Sequence, residues 1–207
     1  MAEQQFYKHV NIAIDNEGFY WITPIVTTES FNFIAPPFFK TQVAHTDPQT
    51  IIDLAFIAMK YCRWRPYQEA RILYHSSMYK GLTGKGLTAF LKSKRAEVYF
   101  IDNSTTKRPE CRTNEYRFYG SICKGVATSY LQEISCCPLD ASKEEMAELL
   151  QKELKKSYAA TEEYMKQEAI KKEEKRLRKE RRLAKLAKLA QEAESKKSLW
   201  GAMCDPN

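Results

Sequence analysis

The sequence has no apolar run approaching the roughly 20 residues that a membrane-spanning helix requires. Its first residues, through Lys8, are polar, and no apolar stretch of signal-peptide length follows them. The six cysteines are irregularly spaced and include no C-x-x-C pair. These absences predict a cytoplasmic protein with reduced thiols, no metal site and no membrane partner.

Aromatic residues are almost absent from the last third of the chain. Of the 25 aromatic residues, 22 lie in residues 1–138, and only Tyr158, Tyr164 and Trp200 lie beyond. Because aromatic side chains supply much of the apolar area that a core buries, only the first part is expected to form a core of its own. The sequence therefore predicts a compact mixed α/β domain over 1–138 and a long basic helical arm with a short C-terminal tail over 139–207.

The first region begins with the pattern of a small antiparallel sheet. Apolar residues alternate over 9–14 and return over 19–26, and the turn-forming residues 15–18 lie between these runs. A third extended run, 31–35, ends at Pro36, because proline cannot donate to a strand ladder. The fold class is therefore predicted to be α+β, a small antiparallel sheet with helices, followed by the long charged helix.

From residue 50 onward we expect two helices, a glycine-rich turn, a third helix and a second hairpin. In order, these elements span 50–61, 67–79, 81–86, 87–95, 97–101 and 115–120. The next segment, 121–134, is ambiguous, and one interpretation is a helix over 125–132.

The order of these elements is that of a winged helix-turn-helix domain, whose second helix enters the major groove while the hairpin tip contacts phosphate. In that interpretation the recognition side carries Lys80, Lys85, Lys92, Lys94 and Arg95, and the wing carries Lys107, Arg108 and Arg112. Basic side chains at two places on one face suit a duplex, whose phosphates supply much of the affinity. The alternative is an α+β domain whose lysines and arginines are ordinary surface residues.

The arm is predicted to be one helix over 142–198. Ser142 and Glu145 fit a capping box, and no proline or glycine follows Pro138 until Gly201. At about 100° per residue, one stripe of the first half holds Met146, Leu150, Leu154, Thr161, Tyr164 and Met165. This half is expected to dock on the domain, whereas the same face becomes charged further along.

The formal net charge of +7 is concentrated in one segment of the arm. Residues 171–188 contain ten lysines and arginines against three glutamates. Such a segment attracts nucleic acid, anionic lipid or an acidic protein, with an affinity that falls as salt rises. The alternative interpretation is a solvated helix whose charge only confers solubility. We therefore expect a non-enzymatic nucleic-acid-binding accessory protein. The arm residues expected to contact phosphate are Lys175, Arg176, Arg178, Lys179, Arg181 and Arg182.

An apolar patch returns near the end of the arm, at Leu183, Leu186 and Leu189. This patch is predicted to contact another protein or another copy of the chain, which would make the protein an assembly or scaffold factor. A coiled coil along the whole helix is not expected, because apolar heptads are not sustained.

An enzymatic role is the weakest alternative. His75-Ser76-Ser77 resembles one half of a two-histidine phosphoesterase site, but His45-Thr46-Asp47 has an aspartate where the second hydroxyl belongs. The glycine-rich turn over 80–86 departs from a Walker A loop in its spacing. No cofactor and no catalytic residue are therefore predicted.

Aromatic residues also cluster on two adjacent predicted strands. They are Tyr99, Phe100, Tyr116, Phe118 and Tyr119, with Arg117 among them. Exposed rings of this kind stack on unpaired bases. Because side chains alternate between the two faces of a strand, about half of the cluster must point into the core, and ordinary packing is the alternative interpretation.

Overall fold

The chain divides into two units, residues 1–164 and residues 165–207. The computed structural model of the protein describes residues 8–30, 32–73, 86–105, 113–125 and 127–203. The boundary between the units lies beyond the predicted domain boundary at Pro138, because the first turns of the long C-terminal helix pack into the core of the first unit.

An eight-stranded sheet forms the centre of the first unit. Its strands are β1 (Lys8–Asp15), β2 (Phe19–Thr27), β3 (Asn32–Ile34), β4 (Phe39–Gln42), β5 (Arg63–Trp64), β6 (Lys94–Asp102), β7 (Glu115–Lys124) and β8 (Ala127–Pro138). The order along the main path is β3-β2-β1-β6-β7-β8, and β4 and β5 also pair with β2. These pairings are antiparallel except that of β2 with β5.

The helices of the described ranges are α1 (Pro48–Met59), α2 (Tyr67–Leu73), α3 (Leu87–Ser93) and α4 (Lys143–Met203). Two of them begin with side-chain caps. The Asp47 carboxylate accepts a hydrogen bond from the Thr50 amide at 2.9 Å. At the start of α4, the Ser142 hydroxyl accepts from the Glu145 amide at 3.1 Å, and the Glu145 carboxylate accepts from the Ser142 amide at 3.3 Å. The predicted capping box is confirmed.

The N-terminal hairpin also forms as predicted. Strands β1 and β2 pair with Ile12 opposite Ile22, and the turn between them closes at Gly18, whose φ is +79°. This left-handed conformation is the one that glycine adopts without steric cost.

The helical interpretation of 125–132 is wrong. The chain instead turns at Gly125, where φ is +79°, and returns as β8 alongside β7. Tyr130 lies opposite Ser121 in this pairing. The segment is stabilised as a strand by its cross-strand neighbours, which sequence periodicity over eight residues does not reveal.

The winged-helix-like arrangement is not confirmed. Strands β6 and β7, which the sequence suggests as a wing, are interior strands of the sheet: β6 pairs with β1 and β7, and β7 pairs with β6 and β8. The turn before α3 and the loop before β7 include residues 74–85 and 106–112, which lie outside the described residues.

Helix α1 and the first turns of α4 cover one face of the sheet. Alternate residues of the central strands point into this layer, among them Ile12, Val98 and Phe118. From α4, Leu150 and Leu154 are buried in the same cluster, as the apolar stripe of the arm predicts. The docked first half of the arm is therefore part of the core, and burial of its apolar stripe holds it there.

Helix α4 also approaches the backbone of the sheet at an irregularity in the pairing of β7 with β8. The Ser157 hydroxyl accepts a hydrogen bond from the Glu97 amide at 2.8 Å and donates one to the Ser121 carbonyl at 2.5 Å. The Thr161 hydroxyl accepts one from the Cys123 amide at 3.0 Å. These two fully buried hydroxyls satisfy sheet backbone groups from a neighbouring helix.

Candidate binding surfaces

The basic residues of the arm lie on exposed turns of α4 in the second unit. At about 100° per residue, five of the basic residues from Lys172 onward fall within an arc of roughly 120°, which we call the basic stripe. The basic stripe consists of Lys172, Lys175, Arg178, Lys179 and Arg182. Glutamates of the same stretch fall outside this arc, so the stripe presents one sign of charge.

Ion pairs within the arm divide its basic residues into two sets. Arg176 pairs with Glu173 at 2.6 Å and with Glu180 at 2.6 Å, and these hydrogen bonds lower the pKa of Glu173 and raise that of Arg176. Lys171 lies 3.4 Å from Glu168. Within the described residues, by contrast, no member of the basic stripe has an ion pair.

Of the arm residues predicted to contact phosphate, Lys175, Arg178, Lys179 and Arg182 therefore lie together on the basic stripe. Arg176 is held by two glutamates, and Arg181 lies on another side of the helix. The three leucines Leu183, Leu186 and Leu189 are exposed by 56%, 53% and 52%. An apolar segment follows the basic one along the same helix.

The basic residues predicted for the domain are only partly described. Lys92 is exposed on α3, and Arg95 is half-buried in β6. Lys85, Lys107 and Arg108 lie outside the described residues, as does His75 of the weak phosphoesterase hypothesis. His45 is exposed in the short turn after β4.

Lys94 does not lie on a recognition surface. Its side chain is 2% exposed, and its ammonium group pairs with Glu97, which is fully buried. Asn11 accepts from Lys94 at 3.1 Å and donates to Glu97 at 2.8 Å, and Ser121 donates to Glu97 at 2.7 Å. Burial alone would raise the pKa of Glu97, but the Lys94 charge and these hydrogen bonds lower it overall. The cluster stabilises the domain interior and offers no surface to a ligand.

The predicted aromatic cluster divides between the two faces of the sheet. Phe100 and Phe118 stack in the core at 4.7 Å between ring centroids. Tyr99 and Tyr119 point to the opposite face, where they meet Tyr130 of β8, a residue that the sequence did not single out. Another part of this second face, at β2, is covered by Phe38 and by Phe90 of α3, which pack against Trp21.

The described cysteines are free thiols, and in Cys62, Cys123 and Cys137 burial disfavours the reactive thiolate. Burial raises the pKa of Cys123 to about 12 and that of Cys137 to about 11. Cys136 is exposed beside Cys137. Among the described residues, no group of three or more histidine, cysteine or acidic side chains is placed to hold a metal ion. Over the same ranges, none of the helices combines the length and apolar character needed to span a bilayer.

No protein-family model and no curated protein sequence matches the chain. Among solved structures, the chain is similar to a protein of unknown function from Neisseria meningitidis, with 16% identity and a TM-score of 0.54, over 75% of this chain and 98% of that one. It is also similar to a chain of the CdiA-CT/CdiI toxin and immunity complex from Yersinia pseudotuberculosis, with 9% identity and a TM-score of 0.48, over 69% of this chain and 92% of that one. The first likeness is one of fold, and a shared fold does not fix a function. The second is too distant to support an inference.

Proposed function

We propose that the protein is a non-enzymatic accessory protein that binds nucleic acid through the basic stripe of α4. The observation that carries this proposal is a row of five exposed cations without an ion pair among the described residues. An unpaired cation binds a phosphate without first breaking an internal ion pair, and it releases a counterion from the nucleic acid when it does so. Arg176, already held by two glutamates, contributes less.

Contacts from the domain are secondary in this proposal. Lys92 is exposed on α3 and in this proposal adds a phosphate contact. A winged-helix mode would require β6 and β7 to act as a wing, and their position inside the sheet argues against that mode.

The experiment compares two triple variants that remove the same charges from different sides of the helix. The stripe variant is Lys175→Gln/Lys179→Gln/Arg182→Gln, and the control variant is Arg181→Gln/Lys185→Gln/Lys188→Gln. Each removes two lysines and one arginine from exposed positions. Anisotropy of labelled duplex DNA, single-stranded DNA and RNA is measured with the full chain across a salt series.

We expect the stripe variant to bind at least about ten-fold more weakly and to lower the salt slope for duplex by about 3, since each phosphate contact contributes about 0.9. The control variant should change the slope much less. Melting temperatures should agree among the three proteins, because the substituted side chains are exposed. Equal losses in both variants would contradict a role for the stripe, and a wild-type chain that binds none of the probes at low salt would contradict the function.

A second candidate function, assembly or scaffolding, is supported by the exposure of Leu183, Leu186 and Leu189. Three leucines on one short stretch expose more apolar area than scattered surface residues usually do. In this alternative they contact a protein partner or another copy of the chain.

A further inference from the structure

Three tyrosines lie close together on the sheet face opposite α1 and α4. Tyr99, Tyr119 and Tyr130 come from the consecutive strands β6, β7 and β8. The ring centroid of Tyr130 is 5.3 Å from that of Tyr99 and 6.1 Å from that of Tyr119, with interplanar angles of 69° and 68°. We call these three residues the tyrosine surface.

The tyrosine surface remains accessible to solvent. Tyr130 is 57% exposed, and Tyr99 and Tyr119 are half-buried. Tyr130 contacts two rings that are themselves fixed on interior strands, so its orientation is restricted before any ligand binds. A large, rigid and exposed aromatic ring loses little conformational entropy when a second planar group stacks on it.

A planar cation lies next to the tyrosine surface. Arg117 of β7 points to the same face, and its guanidinium group donates to the Tyr119 hydroxyl at 3.4 Å and to the Glu115 carboxylate at 2.6 Å. These hydrogen bonds raise the pKa of Arg117. A guanidinium plane stacks on bases even when its edge is held by a carboxylate.

Charge on the three strands does not oppose an anionic ligand. Glu97 is paired with Lys94, Glu115 with Arg117, and Glu133 with Lys156 at 2.8 Å. Asp102 accepts hydrogen bonds from Ser104. Every described carboxylate of β6, β7 and β8 is thus engaged by a cation or a donor.

We infer that the tyrosine surface, with Arg117, is a stacking site for unpaired bases of single-stranded nucleic acid. The inference rests on the proposed function and names its ligand class: the basic stripe supplies phosphate contacts that any nucleic acid satisfies, whereas the tyrosines contact only bases whose faces are free. Bases in an intact duplex are stacked on one another and do not reach the rings. The protein should therefore bind single strands better than a duplex with the same number of phosphates.

The test uses the full chain with Tyr130→Ala, Tyr130→Phe and the control Tyr158→Ala, which removes a 43% exposed tyrosine from α4. Labelled single-stranded DNA and RNA and a duplex of matched sequence serve as probes. Loss of one base stack should weaken single-strand binding by about ten-fold. Tyr130→Phe, which retains the ring, and Tyr158→Ala should bind as the wild type does, and duplex affinity should remain unchanged in all three.

The outcomes separate this inference from the function on which it rests. If Tyr130→Ala binds single strands as well as the wild type does, the inferred stacking site is contradicted. The proposed role of the basic stripe is then unaffected. Equal losses for duplex and single strand in Tyr130→Ala would also overturn it, because stacking on unpaired bases cannot affect a duplex. If the wild type binds none of the probes, both the inference and the function fail.

Discussion

Gly120 is the residue whose replacement tests the contact between the sheet and α4. A Cβ atom at this position would lie 2.9 Å from the Leu131 side chain, 3.1 Å from the Glu153 carboxylate and 3.4 Å from the Glu153 carbonyl. The carbonyl is at ordinary contact distance, but the buried Glu153 carboxylate is held by Ser135 and Lys156 and can yield little. Gly120→Ala should therefore destabilise the protein by about 2 kcal/mol.

Chemical denaturation of the full chain measures this free energy of unfolding. Gly86→Ala is the matched control, because nothing lies within 4 Å of its added Cβ atom and the cost there should stay below about 1 kcal/mol. Equal stability of Gly120→Ala and wild type would mean that α4 does not approach β7 as closely as described.

Single residues were predictable from the sequence only where their role is local. Asp47, Ser142 and Gly18 act on backbone within a few positions, and each takes the role that its sequence context indicates. Lys94 was assigned to the surface because lysine is rarely buried. Its partner Asn11 is 83 positions away, and Ser121, which donates to Glu97, is 27 positions away, so only the sheet topology brings this cluster together.

At the scale of elements, the exposed leucines of α4 give the assembly hypothesis a test of its own. Leu183→Ser/Leu186→Ser/Leu189→Ser should abolish self-association, whereas Ile170→Ser/Leu177→Ser, on another side of the same helix, should not. Sedimentation velocity over a range of concentrations measures the oligomeric state.

Self-association should strengthen as the salt concentration rises, because salt screens the repulsion between two basic arms. Nucleic-acid binding should weaken over the same salt series. A wild-type chain that stays monomeric throughout would contradict self-association.

The helices and strands with the clearest hydrophobic periodicity were the ones that could be predicted from the sequence. Helices α1 and α4 carry long patterns with caps, and the N-terminal hairpin combines alternation with turn residues. Strand β8 carries no such pattern, since residues 131–134 are mostly half-buried or exposed and its pairing with β7 is irregular. Such a strand is specified by its neighbour, so its identity follows from tertiary structure.

At the scale of the whole molecule, the buried pair of Lys94 and Glu97 sets a pH dependence of stability. The pKa of Glu97 is lowered below its ordinary value of 4.5, so its contribution is complete above that value and is lost as the pH falls through the folded-state pKa. Glu97→Gln leaves a buried ammonium without its counter-charge and should cost about 3 kcal/mol at neutral pH.

The difference in unfolding free energy between wild type and Glu97→Gln should therefore shrink as the pH falls below 4.5. Denaturation at a series of pH values from neutral to acid measures it. The double variant Lys94→Met/Glu97→Gln should recover much of the loss, because no unpaired charge remains. A constant difference over the whole pH range would show that Glu97 is not ionised in the folded protein.

The hydroxyls of Ser157 and Thr161 have a consequence for the chain as it is made on the ribosome. They complete hydrogen bonds of β6 and β7, yet they follow Lys124, the last residue of β7, by 33 and 37 positions. At about 5–20 residues per second, the ribosome takes roughly 2–7 s to synthesise that interval. During this interval the unfinished sheet leaves exposed the backbone groups of β6 and β7 that Ser157 and Thr161 later satisfy. The rate of translation between residues 124 and 161 therefore determines how long the incomplete domain can bind chaperones or aggregate.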